Sequence, residues 1–292
     1  MTCPFLGEAQ VKYCATSAVR ELIPLAAAAG AEEKCASPAH AACSVFRSQP
    51  ARESAAGPCP YLRESLMQYC AAAPVTRFVP YSESLLSRCG NHGYRYCELY
   101  LSLAHPRSSQ EGNAEADGIT LPDWLQYSAN HMWLDVTEDG ACHAGIDAFL
   151  SRALGKIDRI SYVWLAGRHR PTAVLTVNGT DLEVVFPNPF LLTKCNLYLR
   201  ADPSPIAAQP YTGGWLFEGV PDAETANGLF RGPAAREWME AEQRRMNEFL
   251  QQQHAGLAAD GGLFAPAIAR KLDRDRRLNL FHEFFSHHAS GK

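Results

Sequence analysis

HMWLDVTEDGACHAGID, residues 131–147, alternates apolar and polar side chains on either side of Glu138-Asp139-Gly140. A period of two puts every second side chain on one face, and the Asp-Gly pair supplies a tight turn, so the segment predicts a β-hairpin. AFLSRALG (148–155) then changes to helical spacing and closes on glycine, the signature of one short helix. ISYVWLA (160–166), TAVLTVN (172–178), LEVVFPNPF (182–190) and NLYLR (196–200) return to strand character. Short strands joined by tight turns imply a small sandwich or partly open barrel, not a parallel nucleotide-binding sheet.

At 292 residues the chain has room for about two domains. With 47% hydrophobic and 20% charged residues it has globular composition, and a net charge of -4 provides no global basic field for nucleic acid. No apolar run of about 18 residues predicts a transmembrane helix. The start, MTCPFLGEAQVKYC, lacks a basic region followed by an apolar one, so the expected compartment is the cytoplasm. There disulfides are disfavoured, and ten cysteines point to metal ligation or redox chemistry.

Eight of those cysteines belong to an internal duplication. CPFLGEAQVKYCATSAVRELIP (3–24) aligns without a gap on CPYLRESLMQYCAAAPVTRFVP (59–80), and CASPAHAAC (35–43) shares its spacing with CGNHGYRYC (89–97). Each copy thus reads C-x10-C, a longer gap, then C-x7-C, giving Cys3, Cys14, Cys35, Cys43 and Cys59, Cys70, Cys89, Cys97. Four thiolates satisfy a tetrahedral zinc or an iron-sulfur cluster. Neither the C-x2-C knuckle nor the close-set ferredoxin run is present, so the metal stays open. Cys-Pro reads as a helix start, which makes the module mainly helical. An unbroken helix would hold Cys3 and Cys14 about 16 Å apart at its usual rise, whereas sulfurs on one zinc stand about 4 Å apart. Either the helix breaks or ligands are exchanged between copies. Buried reduced thiols and thiol-disulfide redox are the competing readings. His40 and His92 sit at unequal offsets within the C-x7-C segments and read as hydrogen-bonded residues, weak as substitute ligands.

The middle of the chain resembles the glycine cleavage system H protein, a relative of lipoyl domains. The resemblance rests on Ser128-Ala129-Asn130-His131-Met132-Trp133-Leu134, the Glu138-Asp139-Gly140 turn and Gly145-Ile146. It continues through Leu154-Gly155-Lys156-Ile157 and Pro210-Tyr211-Thr212-Gly213-Gly214-Trp215-Leu216-Phe217, and spans about residues 119–221. It implies a β-rich carrier fold with a lysine on a tight hairpin for lipoyl attachment. Here that hairpin carries Asn178 and Gly179, and no lysine occurs from Pro171 to Thr193; Lys194 falls on or near the next strand. No lipoate is therefore expected at the usual site. Cys142 and Cys195 read as small apolar residues in strands, and His143 and His169 lack companions spaced like a metal site.

PRSSQEGNAEADG (106–118) has no apolar period and reads as a linker. The expected organisation is a duplicated cysteine module at 1–105 (repeats 3–43 and 59–97), the linker, the carrier-like domain at 119–221 and a helical tail at 222–292, an α+β class overall. In the tail, Trp238, Met239, Met246, Phe249 and Leu250 follow helical spacing. After a break at Asp260-Gly261-Gly262, Leu272, Leu278, Phe281, Phe284 and Phe285 form a second apolar face whose default is to dock on its own chain. RKLDRDRR (270–277) mixes signs and reads as a solvated helix face. No phosphate-binding glycine loop, G-x-S-x-G elbow or H-E-x-x-H is present. The expected function is a non-catalytic docking protein for a protein partner, unlipoylated, with a metal-binding cysteine module. The alternative is an iron-sulfur electron-transfer protein that uses the carrier-like domain to dock, and a thiol-based sensor is a third class.

Overall fold

The computed structural model describes residues 2–16, 23–24, 34–49, 57–75, 77–79, 88–103, 113–116, 118–252 and 263–286. The chain divides into two compact units, residues 1–94 and 95–292.

The first unit is built on the duplication, and its long segments are strands. β1 (Leu6–Cys14) and β3 (Leu62–Cys70) pair antiparallel over their full length, from Leu6 opposite Cys70 to Cys14 opposite Leu62. β2 (Ile23–Pro24) and β4 (Arg77–Val79) flank them in the order β2-β1-β3-β4. This corrects the helical expectation. Proline suits the second position of a β-turn as well as the first turn of a helix. Here Cys-Pro opens turns closed by Leu6 N–H on Cys3 C=O and Leu62 N–H on Cys59 C=O, each at 3.0 Å. Strand pairing then satisfies the backbone with the equivalent segment of the other copy.

The contacts at the two ends of the strand pair recur across the duplication. Ala15 N–H donates to Tyr61 C=O at 2.9 Å and Ala71 N–H to Phe5 C=O at 2.8 Å. Cys3 N–H donates to Cys89 C=O at 2.8 Å and Cys59 N–H to Cys35 C=O at 2.7 Å. The C-x7-C segment of the first copy forms two 3-10 turns (Lys34–Ala36 and Pro38–Ala42), followed by α1 (Ser44–Arg47). In the second copy, 3-10 turns at Arg88–Gly90 and His92–Tyr96 precede α2 (Glu98–Leu103).

In the second unit, β5 (Asn113–Ala116) pairs with β6 (Ile119–Pro122), so part of the expected linker is strand. The rest of that linker from 106 to 112 lies outside the described residues, as do Asp260-Gly261-Gly262. β7 (Gln126–Tyr127), β8 (Met132–Val136) and β9 (Cys142–Ile146) form the predicted hairpin and its neighbour, with Gly140 at φ 80° in the turn. α3 (Ala148–Leu154) starts where the Asp147 carboxylate accepts Leu150 N–H at 2.8 Å and ends at Gly155, φ 68°. This is an N-cap and a positive-φ stop.

β10 (Arg159–Val163), β12 (Thr172–Val177) and β13 (Thr180–Val185) make a three-stranded sheet. A seven-stranded sheet runs β11-β14-β15-β9-β8-β7-β16, with β11 (Arg168–His169), β14 (Phe190–Cys195), β15 (Phe217–Val220) and β16 (Phe230–Arg231). NLYLR is a 3-10 turn, Leu197–Arg200, rather than the expected strand. Within Leu197–Arg200 only Leu199 is buried while Leu197 and Tyr198 face water, the pattern of a turn. α4 (Ser204–Ala208) follows.

The tail forms α5 (Pro233–Gln252), α6 (Ile268–Lys271) and α7 (Arg274–Phe285). α5 buries Met239, Met246 and Leu250; α7 buries Leu280, Phe281, Phe284 and Phe285 against the same core. The expected face shifts by one position: Leu278 is 37% exposed and Arg277 is 3% exposed. The core between sheets and tail includes Trp133, Phe149, Phe186, Phe190, Trp215 and Phe217, all fully buried.

Gly145 lets two of these elements meet, since a Cβ there would lie 2.8 Å from Cζ2 of Trp133. Gly145→Ala is expected to destabilise the chain by about 1–3 kcal/mol through overpacking. Urea unfolding measures this, and an unchanged midpoint would show that the Trp133 ring shifts freely.

Candidate functional site

β12 and β13 meet in a two-residue turn, Asn178 (φ 48°) and Gly179 (φ 73°), with Val177 opposite Thr180. Two successive left-handed residues define the type I′ turn that fits strand twist. Lys194 lies on β14 opposite Glu218, paired with Glu98 at 2.9 Å and 5.5 Å from the Trp215 ring.

The tip is held from two sides. The Asp158 carboxylate accepts Asn178 N–H at 2.6 Å and Arg270 Nη1 at 3.0 Å. Partial burial opposes ionisation of Asp158, but the Asn178 and Arg270 donors outweigh it and hold the carboxyl below its ordinary range. From α7, the buried Arg277 guanidinium donates to Thr180 Oγ1 at 2.5 Å, to Asn178 C=O at 3.2 Å and to Val177 C=O at 3.4 Å. Its other donors reach Ala269 C=O at 2.6 Å and Leu272 C=O at 2.8 Å. The mixed-sign stretch that reads as solvated thus contributes the residue that clamps the hairpin. Inward placement of Arg277 is set by helical register against the sheet, which charge patterning does not reveal.

The separated motifs behind the resemblance converge. Trp133 Nε1–H donates to Ile146 C=O at 2.9 Å and to Pro210 C=O at 3.1 Å. Tyr211 OH donates to Thr120 C=O at 2.6 Å and accepts Ala148 N–H at 2.9 Å. Their chemistry is that of buried scaffolding. His131, in a left-handed conformation with φ 62°, is fully buried and stacks on Phe149 with centroids 4.3 Å apart. Its Nδ1 is 2.8 Å from Asp147 and its Nε2 3.5 Å from Glu242 on α5, while Trp238 and Phe285 close over the ring at 4.8 and 5.3 Å. The tail therefore docks on its own chain.

Cys142 and Cys195 are buried in strands, and burial pushes their thiols up to about 12 and about 11. They sit inert, as read from the sequence. His143 stacks on Tyr96 at 3.9 Å and lies 3.4 Å from Glu218; His169 Nδ1 is 3.0 Å from Gly167 C=O. His40 is buried with Nδ1 2.7 Å from Ser37 C=O, and its ring meets Phe46 edge-on at 4.8 Å.

The duplicated cysteines fall differently from their grouping by copy. Cys3 and Cys14 lie at opposite ends of β1, and Cys59 and Cys70 at opposite ends of β3. Eight strand steps from Leu6 to Cys14 span about 26 Å, so one copy cannot gather its four thiols around one ion. Among the described residues no three or more His, Cys, Asp or Glu side chains converge closely enough to hold a metal.

A cleft of about 650 Å³ opens beside β10, lined by Trp164, Lys194, Leu197, Tyr198 and Arg200 among others. Trp164 is 57% and Tyr198 68% exposed, a patch of large apolar surface next to two cations. No helix among the described residues is long and apolar enough to cross a membrane.

A carrier-like β domain with a two-residue hairpin between β12 and β13 is the class that these elements define. The H protein of Streptomyces coelicolor is 31% identical over 105 residues, 34% of this chain and 82% of the relative. That of Deinococcus deserti is 32% identical over 106 residues, again 34% and 82%. That of Marinobacter nauticus is 27% identical over 135 residues, 42% of this chain and 98% of the relative. The chain belongs to the glycine cleavage system H protein family. A solved H protein from Mycobacterium marinum aligns at 24% identity with a TM-score of 0.36, covering 42% of this chain and 98% of that one. No family model matches.

The His131 cluster predicts a pH dependence. Burial lowers the imidazole's proton affinity, but Asp147 and then Glu242 outweigh it and the pKa rises. A raised pKa stabilises the fold below the ordinary histidine value of about 6.5 and loses that contribution as pH rises through the folded value. Burial raises the Glu242 carboxyl, yet His131 and Arg245 hold it low overall, so its contribution is lost only as pH falls through its depressed value. The wild-type melting temperature should therefore decline from weakly acidic to alkaline pH. His131→Ala, which removes the buried imidazole from the Asp147 and Glu242 carboxylates, should cost on the order of 3 kcal/mol and flatten that decline. An identical pH profile in the variant would show that His131 carries no proton in the fold.

Proposed function

We propose that this chain is a non-catalytic member of the H-protein family, carrying no lipoate, that serves as a docking scaffold for a protein partner. The observation that carries the reading is the hairpin tip: Asn178-Gly179 presents no amine, and Arg277 and Asp158 grip both sides of the turn. A group-carrying arm needs a nucleophilic attachment point free to leave the surface, and neither condition is met there. The exposed rings of Trp164 and Tyr198 around the cleft suit a partner, because aromatic surface next to cations is where binding energy concentrates.

The cysteine module binds a metal in this reading, zinc or an iron-sulfur cluster, and stabilises a unit with little core of its own. Among its described hydrophobic residues, Cys3, Val11, Phe46, Cys59 and Tyr94 are the buried ones. So sparse a core calls for a staple. Metal bound there has a structural task if it is zinc, whereas iron with sulfide would assign the module to electron transfer.

Incubation of the full chain with lipoate, ATP and a lipoate ligase, followed by intact-mass spectrometry, tests the carrier side. The mass is expected to stay unchanged while an authentic H protein gains one lipoyl group. A gain of one group on this chain would restore the carrier role and overturn the proposal.

A further inference from the structure

We infer that the open edge of β10 receives an extended acidic segment of a partner protein, which joins the β10-β12-β13 sheet as an added strand. The inference rests on the docking reading above and names the chemistry of the docked segment. β10 pairs with β12 along one side only, and residues 159–163 make no backbone hydrogen bond beyond that pairing among the described residues. The opposite edge of the same sheet is closed, because α7 packs on β13 and Arg277 bonds Thr180 and Asn178 there. An edge strand left open is a template for another chain, and folded proteins usually blunt it with charge, proline or a bulge. β10 is regular in register, contains no proline and runs into Val163-Trp164-Leu165, all exposed.

The cleft follows this edge. Successive side chains of a strand point to opposite faces, so exposed Ser161 and half-buried Tyr162, whose hydroxyl donates to Asn196 C=O at 2.8 Å, stand on different sides of the sheet. Both line the cleft, and a cavity that touches both faces of one strand must run along its edge. Leu197, Tyr198 and Arg200 line it from the 3-10 turn. Lys194 is neutralised by Glu98 at 2.9 Å, whereas exposed Arg200 pairs with no carboxylate among the described residues; Asp202, close in sequence, accepts Ser204 N–H at 3.0 Å. One uncompensated positive charge beside apolar rings fits a segment that alternates apolar residues with glutamate or aspartate. Main-chain pairing with the edge supplies affinity, and the alternate side chains supply selectivity. A second copy of β10 carries Arg159 and no carboxylate, so self-pairing of this edge offers Arg200 no acceptor.

Peptides selected from a displayed random library on the immobilised full chain supply the probe. Enriched sequences are expected to alternate apolar and acidic residues and, when bound, to slow amide exchange across Arg159–Val163. Arg200→Glu, an exposed substitution whose unchanged melting temperature confirms the fold, should weaken them about tenfold or more. N-methylation of every second probe residue should abolish binding in one phase and spare it in the other, because a strand presents alternate N–H groups to its neighbour. Basic or patternless sequences, no enrichment at all, a probe that leaves β10 exchange unchanged, or equal binding in both N-methyl phases would overturn the edge assignment. So would protection of β10 in the free chain that grows with its concentration, the mark of a second copy. Uptake of lipoate, by contrast, would overturn the scaffold reading and leave the edge to be judged by the peptides alone.

Discussion

A guanidinium cannot shed its charge in a protein, so a buried arginine must find an acceptor for each donor or forfeit several kcal/mol. Arg277 finds them in the carbonyls of Ala269, Leu272, Val177 and Asn178 and in the Thr180 hydroxyl. Three of these belong to the β12–β13 hairpin and two to the segment that leads into α7. The hairpin conformation and the docking of the tail are thus mutually required. Moving either one strands a charge, which is why the second unit includes its tail in one core.

His131 makes the same link on another face. Its left-handed backbone turns the ring beneath the tail, where Asp147 and Glu242 satisfy it and Phe149, Trp238 and Phe285 seal it. Asp147 also caps α3, so one carboxylate serves a helix start and a buried imidazole. Residues that mark membership of the H-protein family here do structural work.

Much of the second unit was legible in its sequence because its signals are local. The Asp-Gly and Asn-Gly turns, the alternation around them and the Gly155 stop each predicted an element that the structure contains. The first unit was not, since Cys-Pro suits a turn and a helix equally and the deciding interaction is pairing between residues 48 to 64 positions apart. Duplication was visible; its consequence, a strand ladder between copies that separates Cys3 from Cys14, depends on long-range register. Arg277 was concealed for the opposite reason. Its neighbours are charged and exposed, and only the packing of α7 shows which one points inward. The cysteine spacing leaves open whether the two sets act by copy or across copies, and backbone contacts place Cys59 beside Cys35 and Cys3 beside Cys89.

Amide hydrogen exchange, comparing wild type with Arg277→Met, tests most directly whether the tail clamps the hairpin. The account predicts that the amides around Val177–Thr180 exchange roughly tenfold faster or more in the variant, a local loss of about 1.4 kcal/mol, while the β8–β9 hairpin keeps its protection. Unchanged exchange at the hairpin tip would contradict it and leave the tip as a self-sufficient turn.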